Sequence, residues 1–255
     1  MCTLVILRRP DHPWPLIVGA NRDEHRARPW QSPARHWPDR ADVTAGLDTL
    51  AGGTWLGVND YAVVAAVLNR PGTLGPATDK RSRGELPLEA LDHAEARAAA
   101  EALAHLDPDA YRPFNLFIGD ARDAFWIAAR PGQHPVEVSE IGPGLSMLTA
   151  HGLGDEAASA RQRHHRPRFA AAPPPNPDTD DWAAWQTLLE SRETAPDGNP
   201  ESAMLIDSGD GFGTSSSSLI ALPRAHFEPG KPALSAVWRF RGGQPEITPW
   251  ETVVF

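Results

Sequence analysis

The feature that most restricts this chain's fold lies at its start. A lone cysteine, Cys2, directly precedes the apolar, β-branched run Thr3-Leu4-Val5-Ile6-Leu7. Such a run reads as a buried strand with Cys2 at its tip. A second apolar stretch, residues 15–20, returns after a proline-rich turn and delivers the polar cluster Asn21-Arg22-Asp23-Glu24. Two adjacent strands of similar length set that cluster beside Cys2.

Cys2 also has a chemical reading. Removal of Met1 puts the thiol and a free α-amine on one residue. An α-amine titrates near about 8, so part of it is neutral at physiological pH and can take the thiol proton directly or through one water. If Met1 stays, that base is absent. The other reading is a small buried residue at a strand start, since free cysteine often fills a core. Arg22 beside the thiol is expected to lower its pKa. Asp23 or Glu24 could bind a substrate amine or orient the α-amine. The plainer reading of the cluster is a salt bridge with a turn-capping Asn21.

Cys2, Ala20-Asn21-Arg22-Asp23-Glu24, Gly52-Gly53-Thr54-Trp55-Leu56-Gly57, Arg83-Gly84-Glu85-Leu86 and Phe114-Asn115-Leu116 together resemble the NRDE family, also known by its transport-and-Golgi-organisation member. The matches fall in family order over roughly the first half of the chain. The resemblance implies kinship with N-terminal-nucleophile hydrolases. The implied fold is α+β: a four-layer αββα sandwich of two mainly antiparallel sheets between helices, as one domain over 1–255. It also implies either a hydrolase-like activity or a role in handling haem or a lipid. In the related hydrolases an Arg and an Asp follow the nucleophile as Arg, two residues, Asp, so the register onto residues 21–24 stays open.

Val67-Leu68-Asn69-Arg70-Pro71-Gly72 resembles the segment that carries an oxyanion-hole asparagine in bile-salt and penicillin amidases. Asn69 is therefore a candidate oxyanion donor, an effect on the order of 3 kcal/mol, or else an ordinary Asx-turn before proline. The later half departs from those relatives. Thr149-Ala150-His151-Gly152 stands where many have Ser-Asn, and Gly213-Thr214-Ser215-Ser216 where they have Gly-Thr-Arg. His151 or the serines could substitute. Trp55 is expected to cover a core or pocket edge, with Gly53 permitting the turn before it.

Composition narrows the partners. Net charge −9 disfavours nucleic acid or an anionic membrane. One cysteine cannot make an internal disulfide. Charged residues interrupt every apolar run short of a membrane span, and the start lacks a secretory pattern. The expectation is a cytoplasmic protein acting on a small-molecule substrate or ligand, with oligomeric state open. No metal is expected, since the histidines lack metal spacing. No cofactor is required, and haem is possible as a ligand, without a covalent attachment motif.

Two functions compete. One is a cysteine N-terminal-nucleophile hydrolase or acyltransferase acting on the C–N bond of a small amide, or on a thioester. Its candidate catalytic residues are Cys2, Arg22, Asp23 and Asn69, with Asn21, Glu24, Trp55 and His151 toward the ligand. The other is a non-catalytic binding or trafficking protein for haem or an acyl lipid on the same scaffold.

Further elements follow from pattern. Residues 26–41 read as irregular and 73–82 as a loop. Strands are expected at 54–58, 61–68, 136–139, 145–148, 219–222, 234–240 and 246–254, with a hairpin over 114–129. Helices are expected at 84–106, 155–171 (interrupted by Pro167) and 180–192. The serines 215–218 read as the small-residue start of a strand.

Overall fold

A computed structural model describes residues 2–224, 235–243 and 247–255. Met1, and the starts expected for two strands at Leu234 and Glu246, lie outside the described residues. The chain divides into two compact units, residues 1–27 with 143–253, and residues 28–142 with 254–255.

In the first unit the N-terminal run forms β1 (Thr3–Arg8), paired antiparallel with β2 (Leu16–His25). Thr3, Leu4, Val5 and Ile6 are all buried, which is why the run lacks the polar alternation of a half-exposed strand. The polar cluster does not follow β2, as a turn would. It is the end of that strand, with Asn21 opposite Thr3. The sheet is completed by β10 (Gly144–Thr149), β11 (Phe212–Leu222), β12 (Val237–Gly242) and β13 (Glu251–Thr252), in the order β10-β1-β2-β11-β12-β13. The serine run is in β11, as expected, though the strand starts ahead of it, at Phe212.

One face of this sheet packs on α3 (Ala160–Ala171) and α4 (Ala183–Leu189). Its rows run across four strands. Met147, Val5, Gly19 and Leu219 form an apolar row under Trp185 and Phe169. A Cβ on Gly19 would sit 3.3 Å from the Trp185 ring, so the absent side chain lets the indole close on the sheet. One row nearer the Cys2 end, the same face carries Thr149, Thr3, Asn21 and Ser217. The sheet thus turns from apolar to polar along its own strands.

α3 starts at an N-cap, Ser159, whose Oγ accepts from Gln162 N at 3.3 Å. It runs through Pro167 without a break, where an interruption was expected.

The second unit is a seven-stranded antiparallel sheet. Its strands are β3 (Trp30–Ala34), β4 (Val43–Asp48), β5 (Leu56–Asn59), β6 (Val64–Asn69), β7 (Phe114–Gly119), β8 (Ala124–Ala129) and β9 (Glu137–Glu140), adjacent in chain order. The β7–β8 hairpin stands as the sequence predicts. Residues 26–41 are not wholly irregular: they contain β3, an edge strand, where Pro33 removes no ladder bond that the sheet needs.

The expected helix over 84–106 is two, α1 (Glu85–Leu91) and α2 (Ala96–Leu103). The break has a long-range cause. Asp120 Oδ2 accepts from Ala96 N at 2.8 Å, so a carboxylate from the β7–β8 turn caps a new helix start there. Both helices pack on the sheet through Leu86, Leu88, Leu91, Ala99 and Leu103 against Val43, Val63, Leu116 and Ile127. Two motifs quoted from the sequence meet in this unit. A Cβ on Gly53 would lie 2.5 Å from the Gly84 carbonyl carbon, and Thr54 N donates to Gly84 O at 2.9 Å. Gly53 therefore serves close backbone approach, while the left-handed turn falls on Gly52 at φ 72°.

Candidate functional site

The polar end of the first unit is where the chemistry-bearing residues gather. Cys2 directly precedes β1, and continuing the register sets it opposite Arg22. Its Sγ donates to the Asp23 carbonyl O at 3.7 Å. The residue is partly exposed, yet its sulfur lies deep enough that burial pushes the thiol pKa up. The Asp23 charge pushes the same way, and the hydrogen bond and Arg22 pull down without prevailing. This runs against the expectation of an activated thiolate: burial favours the thiol form at rest.

Alternation along β2 divides the cluster between two faces. Arg22 and Glu24 share one. Arg22 Nη2 and Glu24 Oε2 are 3.9 Å apart, with side chains 5% and 17% exposed. Asn21 and Asp23 share the other, toward α3 and α4. Asn21 Nδ2 donates to Leu189 O at 2.9 Å and Met204 O at 2.8 Å, tying the strand to the end of α4. That is an architectural role for a residue the sequence offered as ligand-facing.

A β-bulge reshapes β11 opposite this cluster. Thr214 pairs with Asp23 and Ser216 with Arg22, leaving Ser215 as the extra residue. Ser215 Oγ accepts from Arg22 Nη1 at 3.0 Å and donates to Arg22 O at 3.1 Å. The bulge thereby anchors the guanidinium. Thr214 Oγ1 donates to Asp23 Oδ1 at 2.7 Å. Arg161 Nη1, from α3, donates to Asp23 Oδ2 at 3.0 Å and to Thr3 Oγ1 at 2.6 Å. Thr3, Arg161 and Thr214 were not among the candidates read from sequence, whereas Ser215 belongs to the serines named as possible substitutes. Only the Gly213-Thr214-Ser215 departure pointed near them.

His151 lies in the turn after β10, closed by Thr149 N donating to Gly152 O at 3.3 Å. Asn69 and Trp55 belong to the second unit. Asn69 ends β6 opposite Phe114, partly exposed, and its neighbour Arg70 donates to Asn115 Oδ1 at 2.6 Å. The Trp55 ring lies over Gly46, where a Cβ would come within 2.4 Å of it, and meets Trp30 edge-on at 5.9 Å. The tryptophan thus packs on its own sheet. Among the described residues, one group of carboxylates and histidine could hold a metal ion, the exposed Asp107, Asp109 and His134 of the second unit. None of the candidate site residues belongs to it. No helix among the described residues is long and apolar enough to cross a membrane.

Comparison with known proteins bears on both family and fold. The sequence profile of Transport and Golgi organisation 2 matches residues 1–226. A Bos taurus protein, "Transport and Golgi organization protein 2 homolog", is 36% identical over 114 residues, covering 41% of this chain and 38% of the bovine one. The match therefore spans well under half the length of that relative. Among solved structures, a Caenorhabditis elegans N-acylethanolamine-hydrolyzing acid amidase ortholog aligns with TM-score 0.55 and 13% identity, over 86% of this chain and 92% of that one. Penicillin V acylase from Agrobacterium tumefaciens aligns with TM-score 0.58 and 14% identity, over 95% and 83%. At such identities the likeness is one of fold: two antiparallel sheets with four helices, in the N-terminal-nucleophile hydrolase class.

Proposed function

The chain belongs to the Transport and Golgi organisation 2 family, and on that premise we propose that it is a cysteine hydrolase or acyltransferase acting on a small amide or thioester, with Cys2 as nucleophile. The observation that carries this reading is the convergence of Cys2, Arg22, Asp23 and the bulged Ser215 at one sheet end, on a scaffold shared with an amidase and an acylase.

A buried thiol calls for a base before it can attack. With Met1 removed, the Cys2 α-amine takes the thiol proton as Sγ adds to the substrate carbonyl carbon. The carbonyl π pair moves to oxygen. When that tetrahedral species collapses, the C–N or C–S bond breaks. The leaving amine or thiol takes the proton back from the ammonium, and the acyl group stays on sulfur as a thioester. Water, or an acceptor amine, then repeats the sequence and frees Cys2. Asp23 faces the ammonium as counter-charge.

The buried thiol also favours a second reading, a non-catalytic carrier of an acyl lipid. The same carrier reading extends to haem, since a metal ion deprotonates a thiol that coordinates it. The test is steady-state turnover of a small p-nitrophenyl ester and an N-acyl amide. Turnover lost in Cys2→Ala supports the hydrolase. Equal rates with and without Cys2 leave the carrier.

A further inference from the structure

We infer that Arg161 is a positioning residue for the Cys2 reaction, holding Asp23 and the start of β1 in one geometry; this rests on the nucleophile reading of Cys2. One nitrogen, Nη1, serves two acceptors, Thr3 Oγ1 at 2.6 Å and Asp23 Oδ2 at 3.0 Å. Thr3 follows Cys2 directly. The guanidinium therefore links the residue bonded to the nucleophile with the carboxylate proposed to face its amine. The other carboxylate oxygen accepts from Thr214 Oγ1 at 2.7 Å, and Thr214 Oγ1 in turn accepts from Ile206 N at 2.9 Å. Both oxygens of Asp23 are thus aimed by residues from different elements.

The support behind Arg161 is equally fixed. Its Nε donates to Glu201 O at 3.1 Å. The next residue, Gln162, donates from Nε2 to Thr149 Oγ1 at 2.8 Å and to Gly152 O at 2.7 Å, locking α3 to β10. The pair's side chains are 3% and 0% exposed, so the surroundings screen their attraction little. A buried ion pair is a weak way to gain stability, since well-packed apolar residues often do as well. It is a strong way to fix where a carboxylate points. A displacement of about 1 Å in such a group can slow a reaction about 100-fold.

The experiment measures acylation of Cys2 in the full chain by p-nitrophenyl acetate, followed by p-nitrophenolate release and by the adduct on Cys2. Arg161→Met is expected to be roughly 10- to 100-fold slower than wild type. Arg161→Lys, which keeps the charge but not the fork, is expected to recover part of that rate. In an Asp23→Asn background the Arg161 changes should slow the reaction much less than they do in the wild type, because the larger part of the Arg161 effect runs through Asp23 and only the Thr3 contact remains. A side chain that only stabilised the fold would add its loss in both backgrounds. If Arg161→Met fails to fold, Arg161→Lys carries the same comparison.

Wild-type rates in the folded variants, or losses that multiply with Asp23→Asn, overturn the positioning role alone. Absence of any Cys2 adduct in the wild type overturns the nucleophile reading, and the positioning role with it.

Discussion

In the first unit the buried ionised side chains include Arg8, Arg22, Asp23, Arg161 and Arg241; in the second, among the described residues, there is Asp120. The two carboxylates make the instructive pair. Asp120 accepts from Arg122 N at 2.7 Å and Asp123 N at 2.8 Å, and it caps Ala96 at the start of α2. Its partners are backbone amides, and its task is to close a hairpin turn and begin a helix. Asp23 instead draws on Arg161 and Thr214, 138 and 191 residues away, beside the only thiol. Burying charge is expensive, and an ion pair repays it only with good geometry. A carboxylate capped by amides is architecture. One held by a distant guanidinium, at the end of strands that carry the lone thiol, is what the proposed site draws on.

The difference can be broken by removing charge from each unit in turn. Arg161→Met strands the Asp23 carboxylate and should destabilise the protein by about 3–5 kcal/mol, read as a lower urea midpoint. Asp120→Asn leaves an acceptor for the capped amides and should lose only about 1 kcal/mol. Equal losses would mean that the two carboxylates do the same work.

Acid offers a second handle, and it too acts on the first unit. His165 on α3 is fully buried, and its pKa is lowered to about 4, chiefly by burial and then by His164, Arg168 and Arg161. A hydrogen bond at Glu193 opposes this weakly. The unfolded chain binds a proton at this histidine below about 6.5, while the folded chain does so only near 4. Stability is therefore whole above about 6.5 and falls as pH drops toward 4. Hydrogen exchange should show α3 amides losing protection first, ahead of α1 and α2. His165→Phe should flatten that dependence.

The smallest effect sharpens the site itself. Alkylation of Cys2 by iodoacetamide should show a midpoint above the usual value of about 8.5, because burial outweighs Arg22. Arg22→Ala should move it further up. A midpoint below the usual value would restore the thiolate expected from sequence.

How much of this could be read from the chain depended on range. The pairing of β1 with β2 and the β7–β8 hairpin follow from local apolar runs and turn residues, and both stand. So does Asn21-Arg22-Asp23-Glu24 beside Cys2, because a short hairpin allows little else. What escaped is long-range. Nothing local marks Arg161, since its partners Thr3, Asp23 and Glu201 are all distant in sequence, and its own helix reads as merely basic. The split between α1 and α2 was hidden because its cause, Asp120, arrives from another turn. The sign of the Cys2 shift was missed for a related reason. Arg22 is visible in the sequence, whereas the depth of the sulfur is a property of the fold.

The most direct measurement is intact mass of the wild-type protein before and after exposure to p-nitrophenyl acetate, with peptide mapping of any adduct. The expected result is a mature chain beginning at Cys2, with one acetyl group on that residue that is absent from Cys2→Ala. A chain that keeps Met1, or one that begins at Cys2 and takes no acetyl group there, would contradict it.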